Sequence, residues 1–186
     1  QIPQHPPSKL PAHLSLALPV QPMNTIAIQD TSILIDCAKL GLLAALVQLP
    51  YRYKTTDLIF HELGDSESRE AVQACIDRGE LILERIDEGA LEEVVTLQSQ
   101  HRSLSLEDCS VWYLAEREGA MLLTGDNQLR KKATRGGLEV HGSLWVLLKL
   151  QGSGHLRQAE ACQKLRQLKA LNPRLPRTEV GELEEW

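Results

Sequence analysis

With 186 residues, 42% of them hydrophobic and only 4% aromatic, the chain can bury one core built from Leu, Ile, Val and Ala. That composition suits helices stacked on a buried sheet better than an aromatic-rich all-β domain. A formal charge of -5 excludes the overall basic field that normally supplies non-specific affinity for nucleic acid, although carboxylates gathered in a site lower the net charge and basic side chains can still cluster locally.

Residues 1–22 carry Pro3, Pro6, Pro7, Pro11, Pro19 and Pro22, which forbid a regular helix or central strand through most of the segment. It reads as a proline-rich arm or extension. The domain, and with it a native translation start, is expected near Met23. From Thr25 the pattern becomes strand, helix, strand, helix. Residues 26–29 read as a strand and 33–49 as a helix apolar on most sides, ended by Pro50. Residues 55–60 read as a second strand, and 65–79 as an amphipathic helix with Ala71, Val72, Cys75 and Ile76 at helical spacing and Gly79 as its cap. Residues 81–83 read as a short strand, 89–101 as a helix within an acidic run that is a solvated face, and 106–119 as a helix started by Ser105.

Strand 120–124, helix 129–135, strand 138–141 and the apolar helix 143–150 follow. This alternation implies right-handed crossovers and a mostly parallel sheet with helices on both faces, an α/β domain over residues 23–152. Gly152-Ser153-Gly154 separates it from an amphipathic helix over 155–171, stopped by Asn172-Pro173, and a tail that begins basic and ends acidic. The apolar stripe Leu156, Ala159, Leu165 and Leu168 must be covered by the same chain or another, which motivates a homodimer through this helix or the one at 143–150. Trp112 and Trp145 are expected in the core or at such an interface. No apolar run reaches the roughly 18 residues that span a bilayer. The cysteines Cys37, Cys75, Cys109 and Cys162 show no C-x-x-C pairing and read as reduced core thiols of a cytoplasmic protein.

Four acids carry the chemistry. Asp30 follows the first strand, Glu62 the second, Asp126 the strand at 120–124, and Asp108 lies in the first turn of the helix after Ser105. Singly, each has a structural explanation: Asp30 and Asp126 as N-caps, Glu62 as a first-turn acid, Asp108 as the partner of Ser105 in a capping box. Jointly they mean more, because sites in open α/β sheets form outside the carboxyl ends of the strands. Carboxylates crowded there repel, and a hard divalent cation such as Mg²⁺ or Mn²⁺ is the natural compensation. Such an ion lowers the pKa of a bound water and neutralises charge on a leaving phosphodiester oxygen. Arg130, Lys131, Lys132 and Arg135, next to Asp126, are either RNA-phosphate contacts or a solvated basic face. His61 is aimed away from the site by strand alternation, and Asp36 lies too far along its helix to join it.

Asp30-Thr31-Ser32, Phe60-His61-Glu62-Leu63, the 104–115 segment with Asp108, and Leu123-Thr124-Gly125-Asp126-Asn127 followed by Leu129-Arg130-Lys131-Lys132-Ala133 resemble, in order and spacing, the motifs of PIN-domain ribonucleases. Among these the chain looks most like the prokaryotic VapC-type toxins, over residues 23–150. Asn172-Pro173-Arg174-Leu175-Pro176 also resembles a tail found in a subset of prokaryotic PIN proteins. The long arm and the extended C-terminus depart from that pattern. The resemblance implies a three-layer α/β/α sandwich with a C-terminal helical extension over 153–186, Mg²⁺ or Mn²⁺, RNA hydrolysis, dimerisation and a small antitoxin partner. It implies Asp30, Glu62, Asp108 and Asp126 as catalytic and metal-site acids, with Ser32 and Thr124 orienting water or a carboxylate. The competing reading from another class is a PIN-like RNA- or protein-binding module without catalysis. An aspartyl-phosphate phosphohydrolase fits poorly, because its second acid would fall at Ser32.

Overall fold

In the computed structural model, which describes residues 25–172 and residue 175, five strands form one sheet in which every pairing is parallel. In chain order the elements are β1 Ile26–Gln29, α1 Thr31–Lys39, α2 Leu43–Leu46, β2 Arg52–Thr56, α3 Asp57–Glu62, α4 Ser66–Asp77 and β3 Leu81–Glu84, then α5 Glu88–Gln100, α6 Leu106–Glu118, β4 Met121–Leu123, α7 Asn127–Arg135, β5 Val140–His141, α8 Ser143–Gly152 and α9 Gln158–Leu171. The strand order is β3-β2-β1-β4-β5. The chain winds outward from β1 in one direction and then, after β3, crosses back to β4 on its other side. Right-handed crossovers in opposite directions put their helices on opposite faces. α1, α2, α4 and α8 accordingly pack on one another, with α9 on α8, while α5 packs on α6 and α6 on β1. The result is the expected three-layer α/β/α sandwich. The proline-rich arm, the start near Met23 and the C-terminal tail apart from residue 175 fall outside the described residues.

The strands read as continuous apolar runs because both faces are covered: Ala27, Ile28, Leu122 and Leu123 are fully buried. From the helices, Ile33, Leu34, Leu114, Ala115, Val146 and Leu150 complete the core. Each such Leu or Ile contributes roughly 1.5–3 kcal/mol through removal of apolar surface from water. One charged side chain penetrates the sheet. Lys54 of β2 is 7% exposed, and its Nζ donates to Glu84 Oε1 at 2.8 Å and lies 3.1 Å from Glu118 Oε2, so two carboxylates replace the water it has lost.

Three elements differ from expectation. The single helix over 33–49 is broken: Gly41 takes φ 67°, and its N–H closes on the carbonyl of Ala38, which ends α1 and lets α2 restart at Leu43. The strand expected over 55–60 occupies Arg52–Thr56 instead, because the Thr56 hydroxyl caps the next helix by accepting from Ile59 N–H at 3.2 Å. Glu62 therefore ends a short helix rather than following a strand. His61 is exposed on that helix, so the alternation argument does not apply to it. The last helix begins at Gln158 rather than 155; of its expected stripe Leu165 and Leu168 are buried, Leu156 is buried ahead of the helix and Ala159 is exposed, while Ala161 joins the covered face with α8 as its main support. The stripe thus supplies no argument for a homodimer. Trp112 is in the core, and Trp145 is partly buried against it.

Candidate functional site

The strand order reverses between β1 and β4, and in open α/β sheets this switch point opens a crevice at the carboxyl edge. Parallel pairing of Gln29 with Leu123 brings the next residues on each strand, Asp30 and Thr124, side by side. Asp30 N–H still bonds to the Leu123 carbonyl at 3.0 Å. Asp30 is 3% exposed and its carboxylate takes three hydrogen bonds: Oδ1 accepts Thr31 N–H at 2.7 Å, and Oδ2 accepts the hydroxyls of Thr124 at 2.6 Å and Ser32 at 2.9 Å. Each of those hydroxyls also accepts a backbone N–H from the β4–α7 turn, Asp126 to Thr124 at 3.0 Å and Gly125 to Ser32 at 2.8 Å. Two hydroxyls thereby lace the β1–α1 and β4–α7 turns together around one carboxylate. Gly125 allows this close approach: a Cβ there would sit 3.2 Å from Ser32 Oγ, and Ser32 would have to give by a few tenths of an ångström.

Burial is the largest influence on Asp30 and pushes its pKa up to about 6, with the charge of Asp108 adding to it and the bonds from Thr124, Ser32 and Thr31 opposing it. The Asp108 pKa is raised too, first by burial and also by the charge of Asp126, while its capping contacts with Ser105 oppose the rise. Asp30, Asp108 and Asp126 therefore form one electrostatic group, although they are drawn from three elements.

All three Asp residues also serve the fold. Asp108 Oδ2 accepts Ser105 N–H at 2.9 Å while Asp108 N–H bonds Ser105 Oγ at 3.0 Å, a full capping box. Asp126 Oδ1 takes both Gln128 and Leu129 N–H at 2.8 Å. In each case capping occupies one carboxylate oxygen and leaves the other outside the cap. Glu62 is exposed, and its Oε2 accepts the hydroxyl of Thr31. The helices carrying Glu62 and Asp108 share an anchor in Thr56, whose hydroxyl caps α3 and bonds Ser110 Oγ of α6 at 2.8 Å. Ser110 gives its own proton to the Glu107 carbonyl at 2.7 Å, so Thr56 is the donor between them.

Among the described residues no three His, Cys, Asp or Glu side chains are gathered tightly enough to hold one ion by themselves. The donors that line the crevice are of one chemical kind. They are carboxylate and hydroxyl oxygens, and the one adjacent thiol, Cys109, has its pKa pushed up to about 11, first by burial and then by the charge of Asp108, so it stays protonated. Hard oxygen donors of this kind match a hard divalent cation better than the thiolate and imidazole ligands typical of zinc.

The basic residues separate. Arg130 folds back, with Nη2 donating to the Thr124 carbonyl at 3.2 Å and its guanidinium lying across Gly142, where a Cβ would meet it. Lys131 and Arg135 are exposed, and Lys132 is half-buried. Sequence reasoning assigned no role to Thr31 or Gly125. The run Asp30-Thr31-Ser32 and the glycine ahead of Asp126 were the available signals.

A family model described as DUF3368, a PIN domain, matches residues 26–184. Among solved structures the chain is similar to PAE2754 from Pyrobaculum aerophilum at 20% identity and a TM-score of 0.50, over 69% of this chain and 90% of that one, a likeness in fold. No curated protein matches the chain.

Proposed function

Since the chain belongs to the PIN-domain family, whose members are generally nucleases, we propose that it is a divalent-metal-dependent endoribonuclease that hydrolyses RNA phosphodiesters at the β1–β4 crevice. The observation that carries this reading is Asp30: a buried carboxylate at the switch point, fixed by two hydroxyls, with its proton affinity raised by burial and by Asp108. A carboxylate that serves only as a cap needs neither that burial nor the charge of Asp108 beside it. Asp30, Asp108 and Asp126 would hold Mg²⁺ or Mn²⁺, with Glu62 at the rim. A bound ion of this kind supplies a water of lowered pKa and neutralises charge developing on the leaving oxygen.

The chain's own part is positioning. Thr124 and Ser32 hold Asp30 in one rotamer, Thr31 turns Glu62 toward the same edge, and Thr56 keeps α3 and α6 in register with it. Lys131 and Arg135 are available to an RNA backbone beside Asp126, whereas Arg130 is committed to the β4–α7 turn.

The motif resemblance supports a toxin role with a small antitoxin partner, and a homodimer. A reducing, cytoplasmic setting is supported by the unpaired Cys37, Cys75, Cys109 and Cys162. No helix among the described residues is long and apolar enough to cross a membrane.

Incubation of single-stranded RNA with the purified chain tests the reaction. Cleavage is expected with Mg²⁺ or Mn²⁺, is abolished by EDTA, and leaves 5′-phosphate ends, since water rather than the ribose 2′-OH attacks. Undiminished cleavage in EDTA, or 2′,3′-cyclic phosphate ends, overturns the mechanism. RNA left intact under every metal favours the non-catalytic binding module.

A further inference from the structure

Asp36 lies behind the crevice on α1 and is 8% exposed, too deep for a solvated helix acid. Its Oδ2 accepts the Ser143 hydroxyl at 2.6 Å, which ties α1 to the first turn of α8. The Asn172 side chain makes a second hydrogen bond to it. Asn172 is the C-cap of α9, with its N–H on the Leu168 carbonyl, so this amide ties the end of the last helix to the first. The same amide nitrogen lies 3.8 Å from where a Cβ on Gly125 would stand, ordinary contact distance. Gly125 N–H is the donor to Ser32 Oγ, and Ser32 is a donor to Asp30. Three groups thus lie on one path to the Asp30 carboxylate: Asp36, the Asn172 amide near the open side of Gly125, and the Ser32 hydroxyl.

We propose that Asn172, held by Asp36, is a positioning residue that backs the Gly125 turn and keeps Ser32 and Asp126 in place at the site. α9 is then part of the site's support and not an appendage. The hydrogen bond has a direction, because an ionised Asp36 only accepts and Asn172 must donate through its NH₂. Truncating Asn172 leaves a buried carboxylate one donor short and opens space behind Gly125. Exchanging the partners restores one donor and one acceptor facing each other, and Ser143 can still donate to the amide oxygen of an Asn at position 36. The catalytic consequence rests on the metal-dependent nuclease reading; the positioning of the turn does not.

The test is residue-resolved amide hydrogen exchange on the full chain, by NMR at fixed pH, for N172A, D36N and the exchanged pair D36N/N172D. In N172A the protection of Gly125 and Asp126 amides should fall by about five- to tenfold, the loss expected for one hydrogen bond. The β1 and β2 amides should keep their rates. The exchanged pair should recover most of the protection that each single variant loses. Where the wild type cleaves RNA, N172A should lower kcat with KM unchanged. Unchanged exchange at Gly125 and Asp126 in N172A overturns the proposal, and so does a uniform loss across the sheet or an exchanged pair no better than the single variants. A wild type that leaves RNA intact counts against the nuclease alone, since the exchange data stand without substrate.

Discussion

Buried charge is handled in two ways in this molecule. In the middle of the sheet Lys54 is met by Glu84 and Glu118, so opposite charges within the chain replace lost hydration. At the sheet edge Asp30 is more deeply buried, but it is met by hydroxyls, an amide N–H and the charge of a second acid. The first region is electrostatically closed. The second keeps unspent negative charge, which the proposed divalent ion would satisfy. Burial of charge is thus compensated within the chain in one place and left open in the other.

The largest expected effect comes from removing the charge at the edge. Asp30→Asn should reduce metal-dependent RNA cleavage by at least about 100-fold. In the metal-free protein it should also change the pH dependence of stability. The folded pKa of about 6 lies above the ordinary 3.8, so the folded state holds its proton longer than the unfolded chain does. Asp30 then removes stability as pH rises from about 4 through 6, on the order of 3 kcal/mol when complete. Thermal melts should show Asp30→Asn level with wild type near pH 4 and more stable at pH 8. A variant less stable than wild type at pH 8 would contradict the contrast drawn between the two regions.

Thr124→Val keeps shape and removes the hydroxyl that donates to Asp30 and accepts from Asp126 N–H. Loss of an outer-shell partner of this kind costs about 10- to 100-fold in activity or in metal affinity, measurable by titration with Mn²⁺. Lys54→Met tests the other region. It leaves Glu84 and Glu118 without their cation, but both are partly exposed, so the cost should be about 1–2 kcal/mol, or a few degrees in Tm. Cleavage per folded molecule should be unchanged. The smallest effect is expected from reductant: with Cys37, Cys75, Cys109 and Cys162 unpaired, dithiothreitol should leave both melting and activity as they are, and a mass spectrum showing an intramolecular disulfide would refute this.

Much of the sheet was legible because local rules and the fold agree. Ile26 to Ile28 is apolar, the strand runs into the capping acid Asp30 and it forms the centre of the sheet; Ser105 and Asp108 have capping-box spacing and form that box. The errors occurred where one residue serves two elements. Thr56 has strand propensity and stays in β2, yet its hydroxyl also starts α3, so a β-like run such as Leu58-Ile59-Phe60 becomes a helix. At Gly41 a left-handed turn outweighed a continuous apolar pattern. The contacts around Asp36 were hidden for a different reason. Ser143 is 107 residues away, and no local spacing announces a partner at that distance. The homodimer argument from the α9 stripe likewise dissolved once α8 was seen to cover it.

The bond between Thr124 and Asp30 spans 94 positions of the chain. Closing so long a loop is an entropic cost met before the contact returns anything, which places the pairing of β1 with β4 among the slow, non-local steps of folding. During synthesis, Asp30 and Glu62 leave the ribosome well ahead of Thr124 and Asp126. A nascent or truncated chain that stops short of β4 has no second wall to its crevice, so assembly of this cleft is timed by chain length and waits until most of the domain has been made.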